Sequence, residues 1–262
     1  MVIRTASFFL LMALLAGCAV RSVYVPTSQN LMLFDEKKQV QGNAYVGTNT
    51  VQLQLAHNPV NHFVAGISTN YGAGLSIYEG YLGFYGYSKE NAQWRYELLG
   101  GGGYNSNFSQ QDNAFLATVR KTNIRYETYS IYNKAFVQPA LGFFSGIDMY
   151  KLRYSFAFSC RGSYLDFKTY QYREVSRDSL AVNSPKPYLV NRDYTNKGIV
   201  ILEPCFTNKV GRKNLSAVIQ GQFIVPLMSE IDLHYANLSP VFLISVGIQY
   251  NFVFKKQKEP KG

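Results

Sequence analysis

A chain of 262 residues with 15% aromatic residues, 16% charged residues and a formal charge of +10 is rich in Tyr and Phe. It is poor in charge beside the roughly 25% of an average soluble domain. No apolar run approaches the roughly 20 residues that a spanning helix needs, so a helical membrane protein is excluded. The balance suits one β-rich domain that meets lipid with strands.

The first element in chain order is a leader. Arg4 supplies a basic start, residues 8–15 an apolar run, and Ala16 and Gly17 the small residues a signal peptidase requires before its cut. Leu15-Ala16-Gly17-Cys18 resembles the lipobox of bacterial lipoproteins. The resemblance implies removal of residues 1–17 and lipidation of Cys18. Residues 18–36 hold Pro26, Ser28 and Asn30 and show no sustained period, so they read as a lipidated tether. Ala19, Val20, Arg21 and Ser22 lack the acidic cluster that resembles a surface-export signal, which implies an anchor on the periplasmic side of the outer membrane.

After Glu36 the period becomes two. Gln39, Gln41 and Asn43 alternate with Val40, Gly42 and Ala44, and Gln52 and Gln54 alternate with Val51, Leu53 and Leu55. Such alternation predicts strands with one polar and one apolar face. It returns over residues 62–71 and 75–87, and again around Trp94, Tyr96 and Leu98, which face away from Arg95 and Glu97. Residues 105–125 lose the pattern and read as a long loop, with a short helix near 114–119. Strands are predicted again from about Lys134 to Phe144 and from Leu152 to Tyr164. In the second of these, Arg153, Ser155, Ser159, Arg161 and Ser163 share the polar face. Residues 168–196 read as a second long loop. Further strands are expected over 198–208, 215–225 and 241–254, with a third long loop at 226–239.

About ten strands result, with eight or twelve as alternatives. The fold class is therefore an all-β, up-and-down antiparallel transmembrane β-barrel. Its residues are 37–254, followed by a basic periplasmic tail at 255–262. The long connections all follow odd strands, which agrees with short periplasmic turns and long external loops. A soluble lipocalin-like barrel would reverse the faces, with apolar side chains inside. The closing strand, with Tyr250, Phe252 and Phe254, resembles the aromatic-ended strand that outer-membrane assembly machinery recognises. The whole resembles small outer-membrane β-barrel lipoproteins of the Bacteroidota.

Candidate chemistry is sparse. Gln138-Pro139 and Glu203-Pro204 occupy matching places, each about eight residues before a Gly turn. The Pro residues suggest bulges. Gln138 and Glu203, with Arg153 and Arg161, are expected to form a lumen network, because buried polar groups need partners. Binding of a polar ligand is the other reading. His57, His62 and His234 form no triad or metal set, and no nucleophile elbow is present, so neither catalysis, metal nor cofactor is expected. Cys160 and Cys205 fall on opposite faces of their strands and are expected as free thiols. Tyr170, Tyr172, Tyr188 and Tyr194 suggest either a protein or glycan surface or an interfacial girdle. Outer-membrane lipid is the expected environment, and the charge comes with no nucleic-acid motif. The expected role is structural or partner-binding. A narrow pore and a tethered carrier of an apolar ligand are the alternatives.

Overall fold

A computed structural model describes residues 24, 26–29, 39–47, 50–72, 74–88, 93–112, 124–147, 152–176, 188–212, 214–232 and 241–253. The described residues form eleven antiparallel strands and no helix. These are β1 (Gln39–Gly47), β2 (Thr50–His57), β3 (Phe63–Gly72), β4 (Leu75–Tyr87), β5 (Trp94–Asp112) and β6 (Ile124–Ile147), then β7 (Leu152–Ser176), β8 (Tyr188–Tyr194), β9 (Lys197–Gly211), β10 (Leu215–Ser229) and β11 (Val241–Val253). Each strand from β1 to β7 pairs with the next, β7 pairs with β9, and β9, β10 and β11 continue the wall until β11 meets β1. Ten strands thus close on themselves. Closure leaves no edge, which is the condition for a sheet to cross a membrane.

The alternation decides which face is which. Gln39, Gln41, Asn43, Gln52, Gln54, Gln220, Gln222, Gln249 and Asn251 are buried inside. Leu53, Leu55, Ile67, Leu82, Leu98, Leu141, Ile219, Val246 and Ile248 are exposed around the middle of the wall. Exposed aromatics ring both ends of this band. Tyr87, Trp94, Tyr96, Tyr250 and Phe252 lie at one end, and Tyr71, Tyr78, Tyr104, Tyr164 and Phe242 at the other. An aliphatic belt between two aromatic girdles is the surface of a membrane-spanning barrel. The polar interior is the reverse of a lipocalin's. Cys160 and Cys205 are both free; Cys160 pairs in register with Pro204, and Cys205 is buried on the other face.

The two ends of the barrel differ. The turns at 58–62, 88–93, 148–151 and 212–214, the start of β1 and the end of β11 define a short-turn end. At the opposite, long-strand end, β5, β6 and β7 rise beyond the neighbouring walls. Residues 105–112, 124–133 and 168–176, expected as loop or left before the start of a strand, belong to this rise. Alternation fails there because a sheet beyond the apolar belt no longer needs one face for lipid. Its ladders continue, pairing Asp112 with Arg125 and Ile124 with Ser176. The helix expected at 114–119 lies outside the described residues. Residues 188–194, also expected as loop, form β8, which adds to the top of β7 between Tyr170 and Val175. Residues 226–229, expected as loop, extend β10, and the register shifts between Pro226 and Met228.

The risen sheets carry their own core. Tyr132, Leu165, Phe167, Tyr170, Tyr172, Ile199, Ile201, Ile224 and Ile231 are buried together. Tyr170 and Tyr172, expected as a partner surface or a girdle, are corrected to core residues. Tyr194 stacks on Tyr170 at 5.9 Å between ring centroids. Two Tyr at i and i+2 on a strand share a face, and here the face is the inner one.

Candidate functional site: the lumen and its charged cluster

Four ionisable side chains from four strands converge in the lumen. Glu79 comes from β4, Lys134 from β6, Arg161 from β7 and Glu203 from β9. All four are almost fully buried. Lys134 Nζ lies 3.0 Å from Glu79 Oε1 and 3.6 Å from Glu203 Oε1. Arg161 Nη1 lies 3.5 Å from Glu79 Oε2. Two acids against two bases leave the cluster neutral, which is how buried charge is tolerated. Arg161 and Glu203 are cross-strand neighbours. The Phe136 ring lies beneath Arg161 at 4.5 Å and near Lys134 at 5.4 Å. Such cation-ring contacts strengthen when water is excluded.

Glu79 and Lys134 are not adjacent in the sheet. Strand β5 runs between them, and the residue level with both is Gly103. Glycine leaves the lumen surface bare there, so the two side chains meet over the intervening strand. A Cβ at Gly103 would lie 2.4 Å from the Tyr78 carbonyl oxygen and 2.9 Å from Glu79 Cγ. The same strand carries Gly101, where a Cβ would meet the Phe136 ring at 2.7 Å. Gly101 and Gly103 therefore make room for the cluster. Gly103→Ala is expected to lower the temperature at which the folded band converts to the unfolded band in SDS gels. An unchanged transition would show that the backbone absorbs the methyl group without loss.

The remaining partners come from the chain's own N-terminal segment. Tyr24, Thr27, Ser28 and Gln29 are buried inside the barrel. The Tyr24 hydroxyl accepts from Lys134 Nζ at 2.7 Å and donates to Glu203 Oε1 at 2.8 Å. The Thr27 hydroxyl donates to both Glu79 oxygens at 3.0 Å and accepts from Arg161 Nη1 at 2.8 Å. Ser28 is held through its backbone. Its N–H donates to Gln52 Oε1 at 2.6 Å, its carbonyl accepts from Gln54 Nε2 at 2.8 Å, and its hydroxyl meets Ser245 Oγ at 3.0 Å. Gln29 Nε2 donates to the Glu203 carbonyl, while Gln29 accepts from Ser159 Oγ at 2.6 Å and from Gln220 Nε2 at 2.9 Å. A cleft beside Pro26 and Ser28, lined by Tyr45, Gln52 and Gln222, offers only ≈ 30 Å³. That is room for about one water molecule.

Three of the four residues expected in a lumen network are brought together. Arg161 Nε donates to Gln138 Oε1 at 2.9 Å. Glu203 accepts from Ser163 Oγ at 2.9 Å and from Gln222 Nε2 at 2.7 Å. Arg153 is the exception. It keeps the lumen-facing parity but stands exposed at the start of β7, paired in register with Gly211. Eight residues separate it from Arg161, about 26 Å along a strand. Parity in a strand fixes the face and says nothing about height. Glu79 and Lys134 were missed, although both lie on the polar side of an alternation. The N-terminal partners were missed because six residues without a period carry no signal of where they dock. Residues 18–36 were expected as a tether; the described ones among them, 24 and 26–29, lie in the lumen.

His57 and His62 stand at the short-turn end, where their Nδ1 atoms meet the carbonyls of Gln39 and Tyr85 at 3.1 and 3.0 Å. No group of three or more His, Cys, Asp or Glu suited to a metal occurs among the described residues. Cys18, His234 and the Tyr188 side chain lie outside the described set.

No family model matches the chain, and no curated protein matches it in sequence. Among solved structures it is similar to the KdgM porin, with 10% identity, a TM-score of 0.32 and coverage of 82% of this chain and 99% of that one. It is also similar to the NanC porin, with 11% identity, a TM-score of 0.33 and coverage of 81% and 98%. The N-terminal β-barrel domain of Pseudomonas aeruginosa OprF aligns with 9% identity, a TM-score of 0.26 and coverage of 82% and 96%.

Proposed function

We propose that this chain is an outer-membrane β-barrel lipoprotein, acylated at Cys18, whose lumen is held shut by its own N-terminal segment. Its role is structural or partner-binding, not catalytic and not transporting. The observation that carries this reading is the docking of Tyr24, Thr27, Ser28 and Gln29 onto the charged cluster. Hydrogen bonds to charged groups contribute about 1.5–3 kcal/mol each, so the segment is a stable occupant of the lumen and not a loose strand. Each acid and base of the cluster is bound by another member or by the segment, with Arg161 Nη2 alone of their polar atoms buried without a hydrogen-bond partner. A catalytic site would instead leave a nucleophile or base aimed at free space.

The barrel then displays the raised sheets of β5 to β8 at the long-strand end, the external face by the rule of short periplasmic turns. The experiment is conductance of the purified protein in planar bilayers, after unboiled and boiled samples have shown the mobility difference of a folded barrel. No channel steps are expected. Steady steps from the intact protein would overturn the closed reading in favour of a narrow pore.

A further inference from the structure

The docked segment has a direction. Along β7, which climbs from the short-turn end to the long-strand end, Gln29 is bound by Ser159, Thr27 by Arg161, and Tyr24 packs in the cluster that holds Leu165 and Phe167. The Tyr24 ring lies 6.1 Å from that of Tyr132, the register partner of Phe167. The chain therefore descends from Tyr24 to Gln29 and rejoins the wall at Gln39, at the short-turn end. Read backwards, the described segment climbs toward the opposite mouth.

The level of Tyr24 is that of the upper aromatic girdle, because Tyr164 points outward beside Leu165. Cys18 lies only six positions before Tyr24. At about 3.3–3.6 Å per residue they reach roughly 20 Å when fully extended. The apolar band of such a barrel is about 25 Å tall. Six positions of chain cannot return from that level to the short-turn face, and the lumen below Tyr24 is already occupied by residues 26–29. The upper lipid surface is within reach.

Resting on the lipidated, membrane-spanning reading above, we infer that the N-terminus passes up through its own barrel and emerges at the long-strand end. Its acyl chains then enter the outer leaflet beside the raised sheets, and the C-terminus stays at the opposite face. The partner of the N-terminus is thus the external lipid surface. This replaces the periplasmic anchor that residues 19–22 suggested, since a docked segment constrains the exit more strongly than the absence of an acidic cluster.

The test uses the full-length protein in cells, with an epitope of about ten residues, some 30 Å when extended, inserted between Ala19 and Val20. The same epitope is placed in control proteins at the 212–214 turn and within residues 177–187. Antibody is added to intact and to permeabilised cells. The expected result is binding to intact cells for the N-terminal and the 177–187 insertions, and binding only after permeabilisation for the 212–214 insertion. An N-terminal epitope hidden until permeabilisation, with the two controls on opposite sides, would overturn the threaded N-terminus and leave the barrel reading intact. Controls that do not fall on opposite sides would overturn the spanning reading, and the inference with it.

Discussion

Deleting residues 24–29 is expected to convert a silent barrel into a conducting one. At the level of Glu79 and Glu203 the lumen is filled by Tyr24, Thr27 and Gln29, and the wall's own side chains there are polar. Their removal uncovers Lys134, Arg161 and both carboxylates to water. Discrete channel steps should appear in planar bilayers where the intact protein shows none. Heat-dependent mobility in SDS checks that the shortened chain still closes its barrel.

A paired variant tests the segment without removing it. Ser28 and Ser245 hydroxyls lie 3.0 Å apart, close enough that Cys at both positions falls within reach of disulfide geometry. The oxidised Ser28→Cys, Ser245→Cys protein should remain silent. Equal silence from the deletion variant, once shown to be folded, would mean that wall side chains close the lumen unaided.

Arg161→Met is expected to cost about 3–5 kcal/mol, the usual penalty for removing one partner from a buried charged cluster. Two carboxylates would then face Lys134 alone among the described cations of the cluster, and Gln138 and Thr27 would each lose a donor. At about 2–4 °C per kcal/mol for a domain of this size, the folded band should convert roughly 6–20 °C earlier than in the parent protein. Adding Glu203→Gln restores the balance of charge and should recover part of the loss. The double-mutant cycle would then give a coupling energy well above the few tenths of a kcal/mol seen for independent sites. Additive losses would show that Arg161 acts through packing on Phe136 and not through charge.

Both predictions depend on a site that the wall and the N-terminal segment build together. The wall half was legible in the sequence. Gln39, Gln41, Gln52, Gln54, Gln220 and Gln222 declared a polar interior, and Gln138, Arg161 and Glu203 sit in it as their alternation required. Strand period fixes which face a residue occupies, because successive side chains point in opposite directions. It does not fix height, and Arg153 shares the face of Arg161 while standing at the far end of its strand. The raised sheets were misread for a related reason. Above the lipid no face must meet lipid, so residues 105–112 and 168–176 gave no regular alternation, although Tyr170 and Tyr172 turn inward to a core there.

What the sequence determined by itself, then, was a closed antiparallel barrel of about ten strands, with eight or twelve left open, having a polar inside and an apolar outside. The reason is that burial and exposure act on every strand separately and leave their mark at every second residue. Only the tertiary structure decided that Glu79 and Lys134 meet across Gly103, that Tyr170 and Tyr172 are core, and that Tyr24 to Gln29 descend through the lumen. Those contacts of the segment, and of Glu79 with Lys134, join residues from 24 to 217 positions apart, and such distant partners are chosen by register and by the shape of the closed wall, which no local pattern records.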